Sequence, residues 1–179
     1  MKYLIIVDMQ NDFVTGPLGT LEAVAIVDKI KEKIEKIEKD PSVKIIFTRD
    51  THYRNYLHTL EGLRLPIEHC IFETPGWCVV DSLREATYKT YSSKYINKYT
   101  FGNLNWEQEI HDNGTVEIEI VGVCTDICVI SNALILKATY PEILITVDAS
   151  CCAGTTPEMH QKALDVMRSC QIEIVNENI

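Results

Sequence analysis

The sequence predicts an α/β protein of the three-layer, Rossmann-like class, in which a mainly parallel six-stranded sheet carries helices on both faces. Two observations predict this class. Short β-rich runs alternate with longer stretches of helical periodicity, and the β-rich runs are almost continuously apolar, as in strands buried on both sides. The chain has 179 residues, of which 46% are hydrophobic and 24% charged, and it contains no linker, internal repeat or low-complexity segment. We therefore expect residues 1–179 to form a single domain.

The first half of the chain contains two apolar runs that each predict a buried strand. These are "YLIIVD" (Tyr3–Asp8) and "VKIIFTRD" (Val43–Asp50). Between them, Leu21–Asp40 predicts a helix, because isoleucines recur along one helical face while lysines and glutamates fill the other. The segment Thr51–Trp77, rich in His, Pro and Gly, predicts a long loop, and long loops in compact domains are usually functional.

The second half of the chain continues the alternation. The predicted strands are Thr87–Ser93, Thr115–Val123, Glu142–Ser150 and Gln171–Val175. The predicted helices are Trp77–Ala86, Asn103–Asn113, Thr125–Tyr140 and Thr156–Cys170. Thr156 followed by Pro157 favours a helix start, since threonine caps the free amides and proline fits the first helical position.

Charge and composition narrow the class of partner. The net charge of −9 argues against binding to a nucleic-acid backbone and favours a small-molecule substrate. No apolar run approaches the roughly 18 residues needed to span a bilayer, and "MKYLIIVD" is too short to be a signal peptide, so we expect a cytoplasmic protein without a membrane partner. Seven cysteines in such a chain are expected to be reduced.

Polar residues end three of the predicted strands. Asp8 ends the first strand, Asp50 ends the second, and "GVCTDIC" follows the apolar run that begins near Thr115. A carboxylate at the end of an apolar strand is costly unless it is solvated, paired or functional. Because ligands of parallel α/β sheets bind outside the carboxyl ends of the strands, these residues predict the position of a site.

The segment after Asp50 is rich in metal-ligand types. Asp50 and His52, two residues apart at a strand tip, point the same way, and His58, Glu61 and His69 follow in the loop. Imidazole and carboxylate groups suit zinc, iron or manganese. The pattern predicts a divalent metal site, although any one loop histidine is more often a surface residue.

Cys128 has three possible interpretations: a packed core thiol, half of a redox pair, or a nucleophile. Thr125 is placed to cap the following helix, which would put Cys128 in the first helical turn, where free amides and the helix dipole lower a thiol pKa. Free cysteine is also among the most buried residue types. The spacing from Cys124 to Cys128 does not match the usual Cys-X-X-Cys redox motif.

Four segments together carry a family resemblance: "IIVDMQNDF", "FTRDTH", "EGLRLPIEHC" and "GVCTDICV". They resemble the isochorismatase-like cysteine hydrolases, and among these the nicotinamidase and pyrazinamidase branch, over nearly the whole chain. The resemblance implies that Cys128 is the nucleophile, Asp8 the catalytic acid and base, and Lys98, in "KYTFG", their electrostatic partner. Lys94 is the alternative lysine.

The resemblance also implies the surroundings of the reacting groups. It implies a cis peptide bond between Val123 and Cys124, with the backbone N–H groups of Cys124 and Cys128 holding an oxyanion. It implies a divalent metal, most simply zinc, that binds a pyridine nitrogen. The implied metal ligands are Asp50, His52, His69 and a fourth residue, for which Glu61 is preferred to His58. The implied substrate-binding residue is Phe13, which is preferred to Trp77 or Phe101.

The implied activity is hydrolysis of nicotinamide to nicotinate and ammonia through a cysteine thioester. A related hydrolase acting on another carboxamide or a carbamoyl or ureide substrate is the first alternative. A catalytically silent metal-binding protein on the same fold is the second. Members of this family often assemble, so a homo-oligomer is expected.

Overall fold

Six parallel strands form one sheet in the order β3-β2-β1-β4-β5-β6. The computed structural model describes residues 1–37, 39–90, 92–111 and 116–177. The strands are β1 (Lys2–Val7), β2 (Val43–Asp50), β3 (Ser93–Lys98), β4 (Glu117–Val123), β5 (Leu144–Ala153) and β6 (Glu173–Val175). The helices are α1 (Asn11–Val14), α2 (Leu21–Ile37), α3 (Leu60–Arg64), α4 (Asp81–Ala86), α5 (Ile130–Thr139) and α6 (Pro157–Ser169). The predicted fold class is confirmed.

Side chains of β1 alternate between the two faces of the sheet and divide the core in two. Leu4 and Ile6 pack with the buried face of α2. Ile5 and Val7 pack on the opposite face, with residues of α5 and α6. Strand β1 lies between β2 and β4, and the order of the strands reverses its direction there. The carboxyl ends of β1 and β4 therefore border the crevice in which doubly wound sheets bind ligands.

The predicted elements differ from the structure mainly near the edge strand. The third strand is β3 (Ser93–Lys98), not Thr87–Ser93, and Tyr95 and Ile96 are its only apolar residues, as suits a strand at the sheet edge. The predicted helix Asn103–Asn113 is wrong: the described part forms one 3₁₀ turn, Trp106–Gln108. The loop Thr51–Trp77 contains α3 and short 3₁₀ turns.

Smaller differences concern the ends of elements. Strand β5 extends three residues beyond the predicted end, to Ala153. Thr156 caps α6 as predicted, its side chain accepting a hydrogen bond from the N–H of Met159 (3.1 Å). The following residues of predicted elements lie outside the described residues: Glu38, Tyr91 and 112–115. None of the helices in the described ranges is both long and apolar enough to cross a lipid bilayer.

A lysine of α2 reaches two buried carboxylates of the sheet. Lys33 pairs with Glu119 of β4, and its Nζ lies 2.7 Å from Oδ2 of Asp148 of β5. Glu119 also pairs with Lys2, and Asn176 donates to Asp148. Burial opposes ionisation of both carboxyl groups, but these cations and donors hold the pKa of Glu119 and of Asp148 below their ordinary values.

Replacing Lys33 with methionine is expected to destabilise the protein in a pH-dependent way. The pKa values of both carboxyl groups are lower in the folded state than in the unfolded state. The pairing with Lys33 therefore stabilises the folded wild type at pH values above the ordinary carboxyl pKa of about 4, and this stabilisation is lost as the pH falls through the folded-state pKa values. The loss in the variant should be ~3 kcal/mol near neutral pH and should shrink toward acid pH. Urea unfolding at neutral and at acid pH measures this loss of stability, and Lys36→Met, on the exposed face of α2, is the control. A pH-independent loss would contradict the prediction.

Candidate active site

Asp8 follows β1 directly and is completely buried. Its backbone adopts a positive φ of 50°, which turns the chain out of the sheet at this residue. The hydroxyl of Thr48, on the neighbouring strand β2, donates a hydrogen bond of 2.7 Å to Oδ1 of Asp8. One carboxylate oxygen is therefore fixed by the sheet, and the other, Oδ2, is left to face Lys98.

Lys98 ends β3, and its ammonium group lies among the three other charged or reactive groups of the site. Its Nζ is 2.6 Å from Oδ2 of Asp8, 3.5 Å from Sγ of Cys128 and 3.5 Å from Oδ1 of Asp50. The β2–β3 register sets Lys98 opposite Asp50. The alternative, Lys94, pairs with Glu109 at the surface. Lys98, and not Lys94, lies at the strand ends.

Cys128 lies just beyond β4, in a turn that lines the same site. The bond between Val123 and Cys124 is cis, and one π-helical turn, Thr125–Val129, leads into α5. Thr125 does not cap this helix, contrary to the prediction; Cys124 occupies the cap position, and the Thr125 hydroxyl contacts Nδ1 of His160 (2.8 Å). Cys128 is 6% exposed and borders an open cavity.

The expected lowering of the Cys128 pKa is wrong for this site. Burial raises the pKa of the thiol, the nearby Asp8 charge raises it further, and Lys98 only partly opposes them. Burial also raises the pKa of Asp8, against the opposing effect of Lys98. Burial alone would lower the pKa of Lys98, but Asp8, Cys128 and Asp50 raise it above its ordinary value. The site thus combines a thiol, a carboxyl group and a lysine whose pKa values all lie above their ordinary values.

Four residues beside Lys98 form a group that could hold a metal ion. One ligand atom from each of Asp50, His52, Glu61 and His69 lies within 4.8 Å of all the others. Nε2 of His52 is 2.8 Å from Oδ2 of Asp50 and 3.6 Å from Oε1 of Glu61. The alternative ligand, His58, is exposed and outside the group.

The donor atoms of this group fit a divalent cation. Nδ1 of His69 hydrogen-bonds the Ile67 carbonyl (2.8 Å), which makes Nδ1 the protonated nitrogen and leaves a lone pair on Nε2 toward the group. Nε2 of His52 is buried and, within the described residues, has no hydrogen-bond partner, because its close contact with Asp50 lacks hydrogen-bond geometry. Two imidazole nitrogens and two carboxylates suit zinc, iron or manganese.

A cavity of about 730 Å³ joins the metal group to the thiol. Asp50, Glu61 and His69 border it together with Cys124 and Cys128. Phe13 forms part of the wall, its ring centroid 5.4 Å from that of His69, and Phe101 also lines the cavity. Trp77 lies elsewhere: its indole donates to Thr51 and packs against Arg49.

Two buried polar residues of the site were missed by the sequence reasoning. Thr48, which bonds Asp8, is fully buried in the middle of β2. Asn132, also fully buried, donates to the carbonyl of Cys128 (2.8 Å) and accepts from the N–H of Asn103 (2.9 Å). The available signal was a polar residue inside an apolar strand or on the apolar face of a helix, since such groups require a partner.

Comparison with known proteins gives one family and several relatives. The isochorismatase domain model matches residues 2–178. A nicotinamidase of Schizosaccharomyces pombe is 28% identical over 211 residues, covering 97% of this chain and 92% of the relative. A nicotinamidase/pyrazinamidase of Mycobacterium tuberculosis is 27% identical, covering 98% of each chain. The crystal structure of pyrazinamidase of Pyrococcus horikoshii in complex with zinc has a TM-score of 0.79 and 28% identity, covering 98% of this chain and 99% of that one.

Proposed function

The chain belongs to the isochorismatase family, and from that membership we propose that it hydrolyses nicotinamide to nicotinate and ammonia through a thioester on Cys128. Relatives named as nicotinamidases align over nearly the whole chain and support this substrate. One observation carries the proposal. The ammonium group of Lys98 contacts both the Asp8 carboxylate (2.6 Å) and the Cys128 sulfur (3.5 Å), and Cys128 borders a cavity that residues of the metal-ligand group also line.

The first step is attack of the thiol on the carboxamide carbon. Burial raises the pKa of the Cys128 thiol, so Asp8 takes the thiol proton as the sulfur–carbon bond forms. The ammonium group of Lys98 contacts both side chains, with its Nζ 2.6 Å from Oδ2 of Asp8 and 3.5 Å from Sγ of Cys128, so the two groups that exchange the proton lie beside one cation. Lys98 remains charged and stabilises the carboxylate before the transfer and the thiolate during it.

The tetrahedral intermediate carries its negative charge on the former carbonyl oxygen. The backbone N–H groups of Cys124 and Cys128, on either side of the turn after the cis bond, are the proposed donors to this oxyanion. One such donor is typically worth about 2.7–4 kcal/mol. The carbon–nitrogen bond then breaks, Asp8 returns its proton to the departing ammonia, and a thioester remains.

Hydrolysis of the thioester completes the cycle. Asp8, again ionised, takes a proton from an attacking water, the carbon–sulfur bond breaks, and Asp8 returns that proton to the sulfur, which restores the thiol as nicotinate leaves. Asp50, His52, Glu61 and His69 would hold a divalent cation, most simply zinc, which when bound takes the pyridine nitrogen as a ligand and orients the ring. Phe13 packs against the face of that ring. Cytoplasmic location and homo-oligomer formation stay predictions.

Ammonia release from a substrate panel tests the proposal. Nicotinamide and pyrazinamide, which carry a ring nitrogen, are expected to be hydrolysed, and chelation of the metal is expected to reduce turnover until zinc is restored. Benzamide is the matched control, because it keeps the carboxamide and loses the ring nitrogen. Equal turnover of benzamide, or a preference for carbamoyl or ureide substrates, would contradict the nicotinamide assignment in favour of a related hydrolase. Absence of turnover on the whole panel would favour a binding protein.

A further inference from the structure

The segment that follows Asp8 contains two polar residues, Gln10 and Asp12, that contact the backbone beside the metal group and have no role in the proposed mechanism. Gln10 is completely buried, and its side chain pairs with the backbone of Asp50 at both ends. Its Nε2 donates to the Asp50 carbonyl (2.9 Å), and its Oε1 accepts from the Asp50 N–H (2.7 Å). The same Nε2 also donates to the carbonyl of Trp77 (2.9 Å). The amide therefore makes the two hydrogen bonds that a neighbouring strand would make to Asp50.

Asp12 makes a corresponding contact on the other side of the metal group. Its Oδ2 accepts a hydrogen bond from the N–H of Cys70 (2.8 Å), the residue next to His69. The carbonyl of Cys70 in turn accepts from the N–H of His52 (3.0 Å). A chain of two hydrogen bonds thus joins Asp12 to the backbones that carry both histidines.

The Asp12 carboxylate has little freedom to move. A Cβ atom at Gly76 would lie 2.1 Å from its Oδ2, so the side chain occupies the space above this glycine. Phe13, the next residue, packs against the His69 ring. The segment Gln10–Phe13 therefore contacts two of the four ligand residues, Asp50 and His69, directly and is joined to His52 through the backbone of Cys70.

We propose that Gln10 and Asp12 are positioning residues for the metal group, which hold the backbones of Asp50, His52 and His69 so that their ligand atoms converge before a cation binds. The inference rests on the metal site of the proposed function. Outer partners of this kind raise affinity because the ligands lose less conformational freedom on binding, and removing one typically weakens metal binding by about 10–100-fold.

Zinc titration of the purified protein, by competition with a chromophoric chelator, tests the inference without any activity measurement. Gln10→Met keeps the side-chain length and removes all three hydrogen bonds, and Asp12→Ala removes the acceptor for Cys70. Each is expected to bind zinc about 10–100-fold more weakly than the wild type. Gln10→Glu, which buried and protonated can still donate and accept, and Asp12→Asn, which can still accept, are expected to recover most of the affinity.

The controls separate positioning from general stability. Gln108→Met and Asp28→Ala make the same changes at exposed positions and are expected to bind zinc like the wild type. Glu61→Gln, which alters a ligand, is the positive control. One outcome would overturn this inference and leave the proposed function intact. In it, Gln10→Met and Asp12→Ala lower the thermal stability but leave the zinc affinity of the folded protein unchanged, while Glu61→Gln binds zinc more weakly. A wild type that binds neither zinc, iron nor manganese would overturn the metal part of the proposed function as well.

Discussion

Cys128→Ala is expected to abolish ammonia release from nicotinamide, with a loss in turnover of roughly 10⁴-fold or more, while the protein stays folded. The loss is large because the variant has no atom that can form the thioester, and the other groups of the site then act on a substrate without a nucleophile. The change removes one sulfur from a residue that is 6% exposed, so unfolding in urea should shift by no more than about 1 kcal/mol.

Cys152→Ala is the matched control for this variant. Cys152 is also buried and its thiol pKa is also raised by burial, but it lies in β5 within the core. We expect similar stability and unchanged turnover. Turnover retained by Cys128→Ala would end the covalent mechanism. Turnover lost equally in both variants would indicate damage to the fold instead of loss of the nucleophile.

The direction in which the site shifts the thiol pKa of Cys128 is the feature that the sequence could least predict. A helix start after an apolar strand favours a low thiol pKa, and the local sequence contains nothing to oppose it. The opposing groups come from other strands: Asp8 follows β1 and Asp50 ends β2. Because the direction of the shift depends on burial and on charges brought together by three parallel strands, only the assembled site reveals it.

The positions of the site residues were more predictable than the elements around them. Asp8 and Asp50 follow or end parallel strands, and such strands share one carboxyl edge, whereas Lys98 was identified only through the family resemblance. The edge strand β3 was misplaced, since Lys94 and Lys98 interrupt the apolar run that identifies buried strands. The choice between His58 and Glu61 depends on α3: its cap, Thr59, starts the helix so that Glu61 lies in the first turn, bordering the cavity.

Lys98→Met is expected to remove activity and also to destabilise the protein by about 3–5 kcal/mol. The side chains of Lys98 and Asp8 are 1% and 0% exposed, so the variant leaves buried carboxylates without their cation. Lys94→Met, four residues earlier in the same strand, removes only a surface pair with Glu109 and should change stability by no more than about 0.5 kcal/mol. Urea unfolding in the presence of chelator measures both variants under the same condition.

The double variant Asp8→Asn/Lys98→Met separates the electrostatic cost from lost packing. Asparagine has the shape of aspartate without its charge, so in the double variant neither charge of the Asp8–Lys98 pair remains buried without its partner. We expect the double variant to lose about 1–3 kcal/mol less free energy of unfolding than the sum of the losses in the two single variants, and to remain inactive. Recovery of stability without activity would show that the pair is required for the chemistry and not for folding. Strict additivity of the two single changes would mean that Lys98 and Asp8 do not interact in solution, and the mechanism would then lose the cation that holds Asp8 and the sulfur together.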